Sequence, residues 1–250
     1  MKKNLKEHYS YSLYADSHFA DIYEKDRFGS GFGAFLKRYE TELYDKLIPH
    51  FKLMLDVGAG TGKLTGHFAK RGFVVASDAS LPMLIQARKL ARQHNIHYEA
   101  VVCDAHHLCF RNQAFDAVVS SRVLMHVVDW KRMVAELCRV SSKDVVLDFP
   151  NYFSMSLFER VFRKLVKPLL NNIQSYRGFL GKTVAAEFGQ HGFTLEIKLK
   201  SFFLPVALYR MLNSPRLAFR VESFWGKIGI TRLFGTPITI KCEKRPGGME

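Results

Sequence analysis

A short apolar run that leads into three closely spaced glycines restricts the fold of this chain more than any other feature. Residues 51–57 are mostly apolar, and the sequence DVGAGTG at residues 56–62 places glycine at positions 58, 60 and 62. A run this short predicts a buried strand, and the residues from Lys63 onward have the apolar spacing of a helix. Glycines at such a turn let the backbone pass close to a ligand and present N–H groups to it. The turn therefore predicts a ligand site in an α/β fold.

The spacing of these glycines excludes two common nucleotide motifs. The pattern is G-x-G-x-G, whereas the dinucleotide fingerprint is G-x-G-x-x-G. The P-loop pattern G-x-x-x-x-G-K-[ST] is also absent. A Gly-rich turn with no ligand remains an alternative for this segment taken alone.

The rest of the first 150 residues alternates between predicted strands and predicted helices. Strands are predicted over residues 73–77, 97–103, 115–121 and 145–149, and helices over residues 32–47, 63–71, 80–94 and 130–140. Short connections between them predict βαβ units with a parallel sheet buried on both faces. Further along, helices are predicted over residues 154–170 and 183–191, and strands over residues 193–200 and 237–242. Residues 202–234 are predicted as helices interrupted by Pro205 and Pro215.

Acidic side chains occur where successive predicted strands end. Asp56 precedes the glycines, Asp78 ends the second strand, and Asp104 follows the third. Each could be an ordinary turn or cap residue when considered singly. Together they would lie at the carboxyl edge of a parallel sheet, where open α/β sheets bind ligands. Asp78 could accept hydrogen bonds from a ribose diol, and Asp104 could accept one from an exocyclic amine.

At this point the sequence resembles the class I S-adenosylmethionine-dependent methyltransferases, over roughly residues 40–150. Within that family it is similar to the small-molecule group that includes the ubiquinone and menaquinone C-methyltransferases. The matching segments are DVGAGTG at 56–62, Asp78 with SLPML at 80–84, Asp104 with Ala105, FDAVVSS at 115–121 and LMHVVD at 124–129. The run FADIYE at 19–24 resembles the A-x-x-Y-D of the family, with Glu24 in place of Asp.

The resemblance implies a Rossmann-like fold with a mostly parallel seven-stranded sheet, helices on both faces and an antiparallel final strand. It implies S-adenosylmethionine as cofactor and S-adenosylhomocysteine as product. The expected cofactor-binding residues are Tyr23, Asp56, Gly58, Ala59, Gly60, Thr61, Gly62, Asp78, Ala79, Met83, Cys103, Asp104, Ala105, Ser120 and Ser121. Arg122 and His126 are expected on the acceptor side of the site.

His126 is the candidate catalytic base, because an imidazole titrates near neutral pH and this residue lies on a loop at the expected sheet edge. A base is needed only if the acceptor must lose a proton, and a structural histidine packed on the next helix is the alternative. We expect no metal site, because the adjacent His106 and His107 lack a third ligand in the sequence and the four cysteines fit no zinc spacing.

The net charge of +14 leaves more than one partner open. Residues 151–250 contain 16 Lys+Arg and 6 Asp+Glu, whereas residues 1–150 contain 21 and 17, so the excess lies mainly in the C-terminal part. We expect a small acceptor, lipophilic or anionic, methylated at O, N or C by in-line transfer. An RNA or tRNA methyltransferase using the basic C-terminal face is the alternative, and an anionic membrane surface is a further candidate partner.

A single methyltransferase domain is expected over residues 1–250. It comprises an N-terminal helical lid over 1–50, a cofactor-binding core over 51–150, and substrate-cap insertions over 150–181 and 202–234. No signal peptide or membrane-spanning run is evident. We therefore expect a cytoplasmic protein, with the inner membrane surface as a peripheral alternative. The sequence does not determine the oligomeric state.

Overall fold

A computed structural model describes Tyr14, Tyr209 and residues 16–29, 31–154, 177–204 and 214–245 of the chain. Almost all of the helix predicted over 154–170 lies outside the described residues, as do most of the cap predicted over 150–181 and part of that over 202–234. No helix in the described ranges is both long enough and apolar enough to cross a bilayer.

Helices and strands alternate through the first two thirds of the chain. The helices are α1 (Ser17–Phe28), α2 (Gly31–Leu47), α3 (Lys63–Phe68), α4 (Leu81–Gln93), α5 (Trp130–Val140), α6 (Gly181–Gln190), α7 (Pro215–Lys227) and α8 (Ile230–Phe234). The strands are β1 (Leu53–Val57), β2 (Phe73–Asp78), β3 (Glu99–Val102), β4 (Phe115–Ser120), β5 (Ser141–Phe149), β6 (Phe193–Phe202) and β7 (Thr236–Lys244).

The strands form one seven-stranded sheet in the order β3-β2-β1-β4-β5-β7-β6. Strands β1 to β5 pair in parallel, and the last strand, β7, runs antiparallel to both of its neighbours, β5 and β6. This topology confirms the predicted fold class. The direction of strand order reverses between β1 and β4, and this switch point is where open α/β sheets bind ligands.

Alternate residues of the central strands contribute to two separate cores, because successive side chains point to opposite faces of a sheet. Leu55 of β1 and Val118 of β4 pack on one face against α5 and α6, while Met54 and Val119 pack on the other face against α2 and α3. Burial on both faces explains why these strands are continuously apolar in the sequence.

Some predicted boundaries are corrected by the structure. The helix predicted over 63–71 ends at Phe68, and the strand predicted from residue 145 begins at Ser141, directly after α5. A helix begins at Pro215, which occupies the first turn of α7 after the N-cap Ser214, whose side chain accepts a hydrogen bond from the Leu217 N–H; Pro205 lies outside the described residues. Proline is favoured there, because the first helical N–H groups have no partner within the helix.

Candidate functional site

A cavity of about 190 Å³ opens at the carboxyl edge of the parallel strands, next to the β1/β4 switch point. Its lining comprises Tyr14, Tyr23, Asp56, Gly58, Ala59, Gly60, Thr61, Lys63, Leu64, Asp78, Ala79, Ser80, Met83, Cys103, Asp104, Ala105, Ser121, Arg122, Val123, His126 and Val127. The sequence-predicted residues are therefore brought together around one cavity, apart from Gly62 and Ser120.

The turn after β1 is held against β2 by its backbone. The N–H groups of Gly58 and Ala59 both donate to the Ser77 carbonyl, at 2.7 and 3.0 Å. Gly58 and Gly60 have φ of 72° and 56°, in the left-handed region that favours glycine. A Cβ on Gly58 would lie 2.2 Å from Cγ2 of Val123, so glycine is required here for packing as well.

Asp78 is fixed by two backbone groups at the end of β2. Its Oδ2 accepts the Gly60 N–H and its Oδ1 accepts the Ser80 N–H, each at 2.8 Å. Burial raises the pKa of this carboxyl above its ordinary value, and these backbone hydrogen bonds oppose the rise. The result is an oriented, poorly solvated carboxylate facing the cavity, which suits a ligand hydroxyl or cation.

Asp56 lies deeper, at the end of β1, and is almost fully buried. Its Oδ2 accepts a hydrogen bond of 2.6 Å from the Thr65 hydroxyl of α3. Burial raises the pKa of Asp56 to about 6, with the Thr65 hydroxyl and the nearby Lys63 ammonium lowering it. A cationic ligand group beside it would compensate for the lost hydration of the carboxylate.

The segment after β3 places Asp104 at the cavity. The two neighbouring histidines, His106 and His107, make hydrogen bonds within the protein. Oδ1 of Asp104 accepts the His106 N–H at 2.9 Å and lies 2.7 Å from His106 Nδ1. His106 is fully buried, and its Nε2 accepts the Asp129 N–H at 3.3 Å. His107 Nδ1 lies 2.9 Å from an Arg132 guanidinium nitrogen. Both histidines therefore contact the start of α5, His106 through Asp129 and His107 through Arg132.

The two predicted residues outside the lining have other contacts. Ser120 is buried at the end of β4, where its hydroxyl donates to the Val57 carbonyl at 2.9 Å and ties β4 to β1. Gly62 is the N-cap of α3, and a Cβ there would lie 2.8 Å from the Tyr98 hydroxyl and 3.2 Å from Ala87 Cβ, on the side of α4.

Arg122 follows β4 and is held by both its backbone and its side chain. It is a non-glycine residue with φ of 61°, a conformation that needs support from its surroundings. Its N–H donates to Asp148 Oδ1 in β5, and its guanidinium pairs with Glu40 of α2. The other carboxylate oxygen of Glu40 pairs with the Lys63 ammonium. We call Glu40, Lys63 and Arg122 the buried ionic cluster, because all three side chains are at most 17% exposed.

Sequence reasoning did not single out Glu40 or Lys63 as site residues. A signal for Glu40 is present, because Phe32, Leu36, Glu40 and Tyr44 are spaced four residues apart and all four are buried. A carboxylate inside such an apolar helical stripe needs a charged partner. Its partners come from distant parts of the chain, which the sequence alone does not identify.

Aromatic side chains from the N-terminal part of the chain line one side of the cavity. The Tyr14 ring lies edge-on to His126, with centroids 5.7 Å apart, and 6.2 Å from the Tyr23 ring. The Ser80 hydroxyl donates to the Tyr14 carbonyl at 2.5 Å, which ties this segment to the start of α4. Sequence analysis named Tyr23 and His126 as site residues, but it missed Tyr14, Leu64, Ser80, Val123 and Val127 of the lining.

One trio of carboxylates in the described ranges lies close enough together to hold a metal ion: Asp144, Glu196 and Glu243. It lies on β5, β6 and β7. The Lys241 ammonium approaches Glu196 at 2.9 Å and Asp144 at 3.5 Å, so a side-chain cation already offsets the charge of this trio.

Comparison with known proteins assigns the family. Residues 55–147 match the model of a methyltransferase domain. A demethylmenaquinone methyltransferase of Thermus thermophilus is 30% identical over 179 residues, which cover 68% of this chain and 76% of that protein. The chain belongs to the class I S-adenosylmethionine-dependent methyltransferases.

Solved structures of methyltransferases share the fold. Magnesium protoporphyrin IX methyltransferase from Synechocystis PCC 6803, with bound S-adenosylhomocysteine, aligns with a TM-score of 0.62 at 16% identity and covers 86% of each chain. A methyltransferase from Thermotoga maritima also aligns with a TM-score of 0.62 at 16% identity, over 93% of this chain and 99% of that one.

The cofactor of this methyltransferase is S-adenosylmethionine, and the cavity suits its chemistry. The ligand carries an ammonium, a sulfonium, a ribose diol and an adenine. Asp56 and Asp78 are buried carboxylates with raised pKa values, so a cation or hydroxyl beside them would replace lost hydration. The left-handed glycines present backbone rather than side chain to the same cavity.

Proposed function

We propose that this methyltransferase transfers a methyl group to a small acceptor that is lipophilic or carries an anionic group. The name of the Thermus thermophilus relative, which acts on demethylmenaquinone, supports a quinone-like acceptor. The half-buried rings of Tyr14 and Tyr23, which line the cavity, support an acceptor with an apolar body. The guanidinium of Arg122, at the same cavity, supports an anionic or hydroxyl-bearing head group.

In this proposal the residues at the ends of the first three strands hold the cofactor. Asp56 would orient its ammonium group, Asp78 would accept hydrogen bonds from its ribose diol, and Asp104 would accept one from its adenine amino group, with Ala105 beside the adenine ring. The backbone at Gly58 and Gly60 faces its methionine portion. Tyr23, Thr61, Ala79, Met83, Cys103 and Ser121 complete the contacts.

The loop after β4 would act on the acceptor. The cofactor would supply a methyl group bound to a sulfonium, from which the neutral thioether S-adenosylhomocysteine leaves readily as the bond from the acceptor to the methyl carbon forms. His126 takes a proton from an acceptor phenol or activated carbon, and Arg122 holds an anionic group of the acceptor. Positioning both reactants within one cavity can lower the barrier of such a bimolecular reaction by about 7–11 kcal/mol. The Tyr14 and Tyr23 rings help to exclude water.

The observation that carries this proposal is that a single cavity joins two sets of residues. Asp56 and Asp78 line this cavity, and so do Arg122 and His126. A donor held by the first pair and an acceptor held by the second would therefore share one cavity, as direct transfer requires.

The segments around the core fit the same proposal. Helices α1 and α2 belong to the N-terminal lid proposed over residues 1–50, and α7 and α8 belong to the substrate cap proposed over residues 202–234. The cap proposed over 150–181 falls mainly outside the described residues.

Methyl transfer from labelled S-adenosylmethionine into fractionated cell extract tests the acceptor class. We expect label in the lipid or small-metabolite fraction, and we expect none with the Asp78→Ala variant. Label that enters RNA or protein instead would refute the proposed acceptor class and, in the case of RNA, would favour the alternative function.

A further inference from the structure

Helices α7 and α8 expose an unusually apolar surface. Six large apolar side chains on these helices or on the turn between them are each 42% to 64% exposed: Leu217, Phe219, Phe224, Ile228, Leu233 and Phe234. Four basic residues lie among them and are also exposed: Arg216, Arg220, Lys227 and Arg232. We call these ten residues the α7–α8 face. Exposed apolar side chains grouped in this way mark interaction surfaces.

The spacing of these residues on α7 places apolar and basic side chains in adjacent rows. Leu217, Phe224 and Ile228 are seven and four positions apart, so they share one side of the helix. Arg220 is three residues after Leu217 and four before Phe224, and Lys227 is three residues after Phe224. The two bases therefore border the apolar row along its length.

No acidic residue on the same two helices offsets the positive charge of the α7–α8 face. Glu222 is the one acidic residue in positions 215–234. Its carboxylate accepts the Phe203 N–H at 2.9 Å, the Leu204 N–H at 3.3 Å and the Tyr209 hydroxyl, so it points toward the protein interior. The bases thus face outward while the acid is used inside.

The composition of the face distinguishes between its candidate occupants. A single-stranded nucleic acid would stack its nucleobases on aromatic side chains and pair its phosphates with Lys and Arg. Leu217, Ile228 and Leu233 have no ring on which a nucleobase could stack. A second copy of the chain, joined about a two-fold axis, would place four basic side chains opposite four basic side chains, which repel one another. Interfacial helices on anionic membranes combine exposed aromatic and aliphatic residues with Lys and Arg.

We propose that the α7–α8 face docks this methyltransferase onto an anionic phospholipid bilayer. Apolar side chains such as Phe224 and Leu233 enter the interfacial region, and Arg220 and Lys227 pair with lipid phosphates.

The face is connected to the cavity through α2. Ala218 on the inner side of α7 packs with Phe32 and Leu36 of α2. The next residue along the same side of α2 is Glu40, which pairs with the cavity residues Lys63 and Arg122. Docking would bring the membrane to the outer side of α7, whose inner side packs on the helix that reaches the cavity through Glu40, and this suits uptake of a lipophilic acceptor. This last step rests on the proposed function, whereas docking itself does not.

Co-sedimentation of the full chain with vesicles tests the proposal. We expect binding to phosphatidylcholine vesicles that contain phosphatidylglycerol, little binding to phosphatidylcholine alone, and release at high salt. The double variants Phe224→Ser/Leu233→Ser and Arg220→Glu/Lys227→Glu should each weaken binding at least about tenfold. Retained calorimetric affinity for S-adenosylhomocysteine would show that these variants are folded.

Phe73→Ser is the matched control. Phe73 is 80% exposed at the start of β2, which lies near the opposite edge of the sheet from β6, the strand that α8 packs on. This variant should bind vesicles as the wild type does.

Three results would overturn the docking proposal. These are equal binding to neutral and anionic vesicles, unchanged binding by both double variants, and binding of the wild type to RNA but not to vesicles. Failure of the proposed function is distinguishable, because it would leave vesicle binding intact with no label in lipid or small metabolites. Conversely, the protein could methylate a lipid presented in detergent and yet fail to bind vesicles. That result would refute the docking proposal and leave the proposed function intact.

Discussion

Replacing Gly58 with alanine should destabilise the protein for two separable reasons. The residue has φ of 72°, and an added Cβ would lie 2.2, 3.1 and 3.2 Å from three carbon atoms of Val123. The left-handed conformation costs a residue with a Cβ about 1–2 kcal/mol. Overpacking against Val123 adds about 1–3 kcal/mol. We therefore expect Gly58→Ala to lower the free energy of unfolding by about 2–5 kcal/mol.

Gly60 provides a matched comparison in the same turn. Its φ is 56°, but a Cβ there would have only Met83 Cε nearby, at 3.9 Å, which is an ordinary contact. Gly60→Ala should therefore cost only the conformational term of about 1–2 kcal/mol. Gly189 in α6 has neither feature, since nothing lies within 4 Å of its Cβ position. Gly189→Ala should be neutral or stabilising by up to about 1 kcal/mol.

Urea denaturation of the purified variants measures these differences. Adding Val123→Ala to Gly58→Ala removes the two closest contacts but leaves the backbone strain, so it should recover part of the loss in a double-mutant cycle. Equal losses for Gly58→Ala and Gly60→Ala would refute the packing explanation. So would a cycle in which Val123→Ala gives no recovery.

The remaining predictions concern the buried charges and the candidate base. Calorimetry should show that Asp78→Ala weakens S-adenosylhomocysteine binding at least about tenfold, because hydrogen bonds to a carboxylate are lost; unchanged affinity would exclude the ribose role. His126→Ala should bind the cofactor normally but transfer methyl about 10²–10⁴-fold more slowly, and full activity would remove it as the base. Because burial raises the pKa of Asp56 to about 6, the carboxyl holds a proton below that pH and cannot pair with an ammonium. Affinity for S-adenosylhomocysteine should then fall about tenfold per pH unit below 6, and an equally steep fall in Asp56→Asn would contradict this. Glu40→Gln should lose about 3 kcal/mol of stability in urea, because two cations lose their buried partner. The exposed Glu42→Gln should lose less than about 1 kcal/mol, and similar losses for both would argue against a special role for the cluster.

Local patterns explain why much of the cofactor side was predictable. Asp56, Asp78 and Asp104 each follow a short apolar run, and parallel strands carry their carboxyl ends to one edge. Once the strands are identified, the sequence places these three carboxylates at the same side of the sheet. The spacing of Gly58 and Gly60 likewise reports a local backbone conformation, which depends on few distant contacts.

Long-range packing explains what was missed. Glu40 reaches Lys63 and Arg122 because α2 packs on the face of the sheet that also carries α3. Tyr14 reaches His126 across more than a hundred residues of chain. No local pattern specifies either contact, since both depend on where the helices before β1 pack on the sheet.

The sequence by itself determined the fold class, the cofactor family and the edge of the sheet where the site lies. The α/β fold class and the sheet edge follow from hydrophobic periodicity and from glycines and acids at fixed positions relative to the strands. The cofactor follows from the resemblance of those segments to the class I methyltransferases. Only the tertiary structure decided that a buried ionic cluster joins α2 to the cavity and that Glu222 turns inward while the bases of α7 and α8 stay outside. The physical reason is that burial and pairing of charge depend on which distant surfaces pack together, and a sequence pattern reports only the near neighbours of each residue.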